Sequence, residues 1–353
     1  MRLLHTADLH LGRGERSLAA LDALLAAAER EAVDALTVGG DCFESAAAAD
    51  ELRPQLRERF TDNEFQTLVV PGNHDAAVFE GNVEFGPDFQ ALSTEPLEVA
   101  SVADGEVVGV PGRDRLGEDR FFELRDRADD DAVLLIHCTL DAGFGTGATG
   151  DEAAPTYCPV QTETLGELGY EFVLAGHFHS ELYQRKLPNG GLFIYPGSPV
   201  SHSWAETGRR HAVVVDTDDA NVQPVALDTF YRDRFSATVT PGGAYDIFER
   251  VEGWVDGQET DRSDLEVRVD GYTELDESTF AERLHAAAGP AVVVNDTRGV
   301  AAVLDHPVYA DFVDRLDDLD LDEFDRVDDR ETVEARLVEA LAELLSAGEV
   351  SHA

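Results

Sequence analysis

Thr67-Leu68-Val69-Val70-Pro71-Gly72-Asn73-His74-Asp75 decides the reading of this chain: four β-formers stop at Pro-Gly and deliver three metal- or proton-handling side chains in succession. A short apolar run bounded by Gly or Pro reads as a buried strand. The same arrangement recurs four more times. Arg2-Leu3-Leu4 leads to Asp8-Leu9-His10, and Ala35-Leu36-Thr37-Val38 leads to Gly39-Gly40-Asp41. Ala132-Val133-Leu134-Leu135-Ile136 runs into His137, and Phe172-Val173-Leu174-Ala175 into Gly176-His177-Phe178-His179. Between the first three runs the pattern turns helical, at residues 16–31, Ala-rich with Leu at helical spacing, and at 45–60. Strand-helix-strand alternation implies an α/β fold. In such sheets chemistry collects beyond the carboxyl ends of the strands, where these polar clusters fall.

Strand-like runs at 191–195 and 212–216 close a first domain near residue 230. Beyond it, Leu265-Glu266-Val267-Arg268-Val269 alternates like a half-buried strand. Residues 277–288 read as a helix closed by Gly289, and Ala291-Val292-Val293-Val294 as another strand. The chain thus divides into a domain over 1–230, a small α/β domain over 231–305, and a tail over 306–353. The tail holds eleven acids between 311 and 331, read as a solvated segment. It ends in a helix at about 331–347 that sets Val333, Leu337, Leu341 and Leu344 on one face.

Composition narrows the class. A chain of 353 residues, 43% hydrophobic, suits about two folded domains. No apolar run approaches the roughly 18 residues of a membrane helix, and no signal-peptide core follows Met1. Cys42, Cys138 and Cys158 are odd in number and far apart, against a disulfide framework. The expected setting is the cytoplasm. Seventy-two acids face 27 bases, a net charge of −45, and Lys186 is the one lysine. Acids spread along the whole chain with almost no lysine fit a halophilic protein, kept soluble by a carboxylate surface. At about 1 M salt the Debye length is about 3 Å, so the charge neither supports nor excludes a nucleic-acid substrate.

Asp8, His10, Asp41, Asn73, His137, His177 and His179 together offer oxygen and imidazole donors, a set that suits manganese, iron or zinc. Seven ligands exceed one site and match two ions sharing a bridge. Two ions about 3.5–4 Å apart can clamp a phosphoryl group for in-line displacement. Taken singly, Asp-x-His is as readily a surface accident, and Gly-Asn-His-Asp an ordinary turn. Five clusters in this order, each capping an apolar run, are not a coincidence.

This pattern of D-x-H, G-D, G-N-H-D, a lone H and G-H-x-H resembles the calcineurin-like metallophosphoesterase superfamily. The resemblance implies a β-sandwich flanked by helices. It implies one metal on Asp8, His10, Asp41 and His179, and a second on Asp41, Asn73, His137 and His177, with Asp41 bridging. It further implies that His74 faces the scissile phosphate as a catalytic group and that Asp75 orients it. The phosphatase branch would place Asp-Arg-Gly after the bridging Asp, whereas this chain has Asp41-Cys42-Phe43-Glu44-Ser45.

The opening, Leu3-Leu4-His5-Thr6-Ala7-Asp8-Leu9-His10-Leu11-Gly12, looks like that of the SbcD-type nucleases, exonuclease subunits of double-strand-break repair complexes. Tyr195-Pro196-Gly197-Ser198-Pro199 and Glu206-Thr207-Gly208-Arg209-Arg210 resemble the same group. The implied function is a two-metal DNA exonuclease, with manganese the expected ion. By the same resemblance the second domain is a cap over the DNA, and the chain forms a homodimer. The last helix would then dock on an SMC-like coiled-coil ATPase, although its apolar stripe suits packing on its own chain equally well. Many relatives carry Asp or His at Glu44, which leaves that residue's role open. Arg13, Arg16, Arg113, Arg115, Arg209 and Arg210 are candidate phosphate contacts, with Arg13, Arg209 and Arg210 foremost for substrate binding. Two rival readings stand beside this one: a phosphodiesterase of nucleotides or other small phosphodiesters, and a binding subunit whose metals only order DNA.

Overall fold

The computed structural model describes residues 1–81, 84–112, 115–129, 131–141, 157–304, 306–317 and 330–346. They divide into two compact units, Met1–Arg232 and Asp233–Ala353.

The first unit runs β1 (Arg2–Thr6), α1 (Glu15–Arg30), β2 (Ala35–Val38), α2 (Ala46–Arg59), β3 (Gln66–Val69), β4 (Phe89–Ala91), β5 (Glu98–Val102) and β6 (Gly105–Val110). It continues through α3 (Glu118–Arg127), β7 (Ala132–His137), α4 (Thr162–Leu168), β8 (Phe172–Gly176), β9 (Tyr183–Lys186), β10 (Leu192–Tyr195), β11 (His211–Asp216) and β12 (Asn221–Ala226). Two six-stranded sheets result, ordered β12-β11-β1-β2-β3-β4 and β5-β6-β7-β8-β10-β9. Each has four neighbouring parallel strands: β1 to β4 in one, and β6, β7, β8 and β10 in the other.

Strand periodicity sorts the core into layers. Leu3, Ala35, Leu68 and Val213 of one sheet meet Val133, Leu135, Leu174 and Ile194 of the other in a shared interior. The alternate residues of the first sheet, Leu4, Leu36 and Val214 among them, pack on Leu21 and Leu24 of α1 and Leu56 of α2. Those of the second, with Leu134, Val173 and Phe193, pack on Leu124 and Leu165 of α3 and α4. The architecture is therefore helix, sheet, sheet, helix, with both sheets buried on two faces as parallel strands require. This is the α/β sandwich flanked by helices that the sequence predicts.

A buried polar bridge crosses the sandwich at His5. His5, with no exposed surface, pairs its ring nitrogens with Thr37 Oγ1 at 3.2 Å and with the Ala175 carbonyl of the opposite sheet at 3.1 Å. Burial depresses its pKa to about 4. Helix α2 begins where Ser45 accepts the Ala48 N–H through its side chain at 3.2 Å, a cap worth about 1 kcal/mol.

The second unit contains β13 (Tyr231–Val239, begun in the preceding unit), α5 (Ala244–Asp256), β14 (Ser263–Thr273), α6 (Glu277–Ala288), β15 (Val292–Gly299), α7 (Ala301–Leu304), α8 (Pro307–Asp317) and α9 (Arg330–Ser346). β14 and β15 are parallel, joined through α6 as the sequence predicts. α5 and α6 pack Phe248, Val251, Phe280 and Leu284 against Val267 and Val269. Part of the acidic stretch read as a solvated segment is helical: α8 takes residues 307–317, while 318–329 lie outside the described residues. Leu341 and Val338 of α9 are buried against Val300 and Val303 of the same unit, with Leu337 alongside, whereas Leu344 is exposed. Half of the predicted apolar stripe is thus occupied by the chain itself.

Candidate metal centre

All seven predicted ligands follow the carboxyl ends of parallel strands: Asp8 and His10 after β1, Asp41 after β2, Asn73 after β3, His137 at the end of β7, and His177 and His179 after β8. The backbone there is bent out of ordinary conformation. Asp8, His10, Asp41 and His177 have φ of 56°, 46°, 48° and 106°. Left-handed backbone at a non-glycine residue costs on the order of 1–3 kcal/mol, so the surroundings must hold it. They do so by interlocking the loops. Asp8 N–H donates to Gly40 O at 3.0 Å and His10 N–H to Asp41 O at 3.0 Å. His177 N–H donates to the Asp8 carboxylate at 3.0 Å, tying the two sheets together at the site. Gly40 and Gly72 are required by space: a Cβ on either would fall inside the contact shell of the His137 ring or the Asp41 carboxylate, respectively.

The donors form overlapping groups. Asp8, His10 and His179 present ligand atoms within 4.8 Å of one another, and so do Asp8, Asp41 and His137. A third group joins His10 with Glu44 and His74. Facing ring nitrogens of His10 and His179 stand 3.3 Å apart, and His137 Nε2 lies 2.9 Å from Asn73 Oδ1 and 3.4 Å from Asp41 Oδ2. Asn73 is exposed, whereas Asp8, His10, Asp41, His137, His177 and His179 are buried. Buried carboxylates and imidazoles converging at such distances are the donor chemistry that borderline divalent ions need, so the residues fit the metals.

The protonation pattern carries the same imprint. Burial pushes the Asp8 carboxyl up. Burial would raise Asp41 as well, but the facing His137 holds it well below the usual carboxylate range. Against its own burial penalty, His137 is lifted to about 9 by Asp41. His177 is lowered to about 3 by burial and by the His137 charge. The chain alone thus stores an Asp41–His137 ion pair, and a divalent ion would take the place of that proton.

Side chains around the donors lock the rings. His10 Nδ1 lies 2.9 Å from Glu44 Oε2, and His179 Nδ1 lies 3.5 Å from Glu206 Oε1. Glu206 is 1% exposed and also accepts from Ser198 Oγ at 3.1 Å and His202 N–H at 2.7 Å. Burial would raise its pKa, yet His179 and His202 hold it at about 2. His137 Nδ1 instead meets the Gly39 carbonyl at 2.7 Å. The His202 ring stands 5.2 Å from that of His10 and the Tyr157 ring 5.5 Å from that of His137. His202, Tyr157 and the roles of Glu206 and Ser198 escaped the sequence reading. The segment holding Ser198 and Glu206 stood out by resemblance, but nothing local revealed which ring either would meet.

His74 is half-buried with its ring 4.8 Å from that of His10, and its N–H donates to Asp41 Oδ1 at 2.8 Å. Two expectations need correction. Asp75 is fully buried and accepts from Gly72 N–H at 2.7 Å and Phe43 N–H at 3.1 Å, with its pKa raised to about 7 by burial and the Asp41 charge. It pins the ligand loop to the loop after β2 rather than orienting the His74 ring. Arg210 is 3% exposed, and its guanidinium donates to the carbonyls of Ser198 at 2.9 Å, Ser180 at 2.8 Å and Thr207 at 3.3 Å. Those bonds staple the loops around His179, and the Arg210 side chain also borders the cavity lined by Arg209. Arg13 is exposed, 3.6 Å from Glu44, and Arg209 lines a cavity of about 310 Å³ with Ser180, Thr207 and His211. Arg16 and Arg115 are exposed, and Arg113 lies outside the described residues.

Residues 1–181 match the family described as calcineurin-like phosphoesterase, and the chain belongs to it. It is a metal-dependent phosphodiesterase. It is 25% identical over 334 residues to the SbcD subunit of the nuclease SbcCD from Bacillus subtilis, covering 81% of this chain and 83% of that one. To the SbcD subunit of the same nuclease from Escherichia coli K12 it is 40% identical over 87 residues, 22% of each chain. A dimetal phosphatase structure from Danio rerio aligns with 61% of this chain and 91% of its own at 12% identity, with a TM-score of 0.41. Among the described residues, no helix is long and apolar enough to cross a membrane.

Proposed function

We propose that this chain is a two-metal DNA exonuclease of the SbcD type, the nuclease subunit of a double-strand-break repair complex with an SMC-like coiled-coil ATPase. The observation that supports it most is the convergence of seven donors and His74 at the ends of parallel strands from two sheets, together with similarity to an SbcD nuclease subunit along four-fifths of the chain.

Asp8, His10, Asp41 and His179 would hold one ion, and Asp41, Asn73, His137 and His177 the other, manganese being the expected metal. When bound, the pair supplies positive charge that polarises a phosphoryl oxygen and eases deprotonation of the attacking water. Asp41 would be the shared ligand and, through the His74 N–H, also fixes the catalytic loop. His74, partly open to solvent, would face the scissile phosphate and hand a proton to the leaving oxygen. Glu44 and Glu206 would hold the His10 and His179 rings in one tautomer, with Nδ1–H toward the carboxylate and Nε2 left for an ion. Arg13 and Arg209 would meet the DNA backbone. The exposed Leu344 end of α9 is the part left for the ATPase partner, and a homodimer is expected. The acidic coat points to a halophilic, cytoplasmic setting.

The test is manganese-dependent digestion of linear duplex DNA in about molar KCl, with His74→Ala as control. Product from the parent and none from the variant is expected. No digestion by folded, two-metal protein that still hydrolyses a small chromogenic phosphodiester would sink the DNA reading. Removal of residues 331–353 should abolish capture of the ATPase, and undiminished capture would refute docking through α9.

A further inference from the structure

Arg16, Phe230, Arg232 and Trp204 gather into one cluster, and Trp204 lies two residues from His202, whose ring is 5.2 Å from that of His10 and 6.0 Å from that of His179. The Arg16 guanidinium sits over the Phe230 ring, 3.3 Å from its centroid, and that of Arg232 lies 5.4 Å from the same centroid. Arg232 is also 5.7 Å from the Trp204 ring. Phe230, Arg232 and Trp204 are half-buried and Arg16 is exposed, so the cluster opens to solvent.

Its supports run straight into the ligand shell. Trp204 lies between His202, whose ring nitrogen Nε2 is 3.3 Å from the Asp8 carbonyl, and Glu206, the partner of His179. Arg232 donates through Nη1 to the Ser201 carbonyl at 3.2 Å, and its N–H to Ser201 Oγ at 3.1 Å, binding it to the same loop. Arg16 lies in the first turn of α1, six residues after His10. A chain with 27 basic residues against 72 acidic ones brings two guanidinium groups onto one phenyl ring within this short span of the site. A guanidinium stacked on a ring keeps its N–H edge in its own plane, the geometry that meets phosphate oxygens. Aromatic rings interleaved with such edges hold single-stranded nucleic acid, because every base has a face to stack and every linkage an anion to grip.

We propose that Arg16, Phe230, Arg232 and Trp204 form the seat for the unpaired nucleotides that flank the scissile phosphate, on the His10–His179 side of the centre. The inference rests on the DNA reading above and adds the strand-gripping surface to it.

The test compares the parent with Trp204→Leu and Phe230→Leu on a single-stranded oligodeoxynucleotide and on a small chromogenic phosphodiester, both with manganese in molar KCl. Each variant should raise KM for the oligonucleotide about tenfold to a hundredfold more than for the small substrate, with the kcat values changing little relative to one another. Equal changes on both substrates would mean that the cluster only braces the loop, and would overturn the proposal. A second reading leaves the four cluster residues intact and needs no metal. In Trp254→Phe, Trp204 is the one remaining tryptophan, and its fluorescence should shift on titration with the oligonucleotide in chelator. A silent tryptophan in a protein that cuts DNA would refute the seat alone. A silent tryptophan in a protein that hydrolyses the small substrate but neither binds nor cuts DNA would remove the DNA reading, and the seat with it.

Discussion

The two halves of the proposed centre hold their imidazoles in different ways. On the Asp8 side, each ring is backed by a carboxylate: Glu44 behind His10 at 2.9 Å and Glu206 behind His179 at 3.5 Å. On the Asn73 side, His137 leans on the neutral Gly39 carbonyl at 2.7 Å. A carboxylate behind a ligating imidazole raises its basicity and fixes its tautomer, whereas a carbonyl does only the second. The first pocket therefore carries more negative charge close to its ion and should hold it more tightly. The second, with exposed Asn73 among its donors, should exchange its ion more readily.

The largest effect should come from removing what the halves share. Asp41→Asn takes the charge from both pockets and should abolish metal binding and phosphodiester hydrolysis together, with loss of at least about a thousandfold in turnover. Metal analysis beside the assay reads both. Retention of two ions would mean that Asp41 does not bridge.

His74→Ala comes next and separates chemistry from binding. Turnover should fall about a hundredfold to ten-thousandfold with metal content intact. Loss of metal in parallel would make His74 a ligand instead of a proton donor.

Glu206→Gln sharpens the comparison itself. Affinity for the tighter ion should drop about ten- to a hundredfold while the weaker one stays in place. Glu44→Gln should act in the same direction and less, because Glu44 is about one-third exposed and solvent shares its load.

A smaller effect belongs to the fold rather than the centre. His5 is neutral in the sandwich, with its pKa depressed to about 4 against 6.5 in the open chain. The unfolded chain then takes up its proton first as pH falls, so the stability His5 contributes is complete above about 6.5 and disappears towards 4. The expected loss is on the order of 3 kcal/mol. Denaturant titrations at the two ends of this range should show a steeper fall for the parent than for His5→Gln. Parallel curves would remove His5 as the cause.

What was legible in the sequence and what was not divide along the same physical line. The placement of five donor clusters at strand ends read cleanly because each is local: a β-forming run, a breaking Gly, then polar side chains where the strand stops. Helices α1 and α2 and the β14-α6-β15 unit announced themselves through periodicity, caps and closing glycines. The edge strands β4, β5, β9 and β12 did not, since short or half-exposed strands carry little apolar signal. Roles set by distant partners were hidden as well. Glu206 meets His179 across 27 residues, and the Gly39 carbonyl meets His137 across 98. Arg210 looked like a phosphate contact because a cation in an acidic chain invites that reading. Only folding shows its guanidinium spent on carbonyls. Asp75 misled for the converse reason, its proximity to His74 in sequence hiding the Gly72 and Phe43 N–H groups that claim it.

The inequality of the two pockets is tested most directly by calorimetric titration of manganese into chelator-stripped protein in about molar KCl, for the parent and Glu206→Gln. Two ions per chain with distinct affinities are predicted, the tighter one alone weakened in the variant. A single ion, two equal ones, or a variant that weakens both alike would contradict the account.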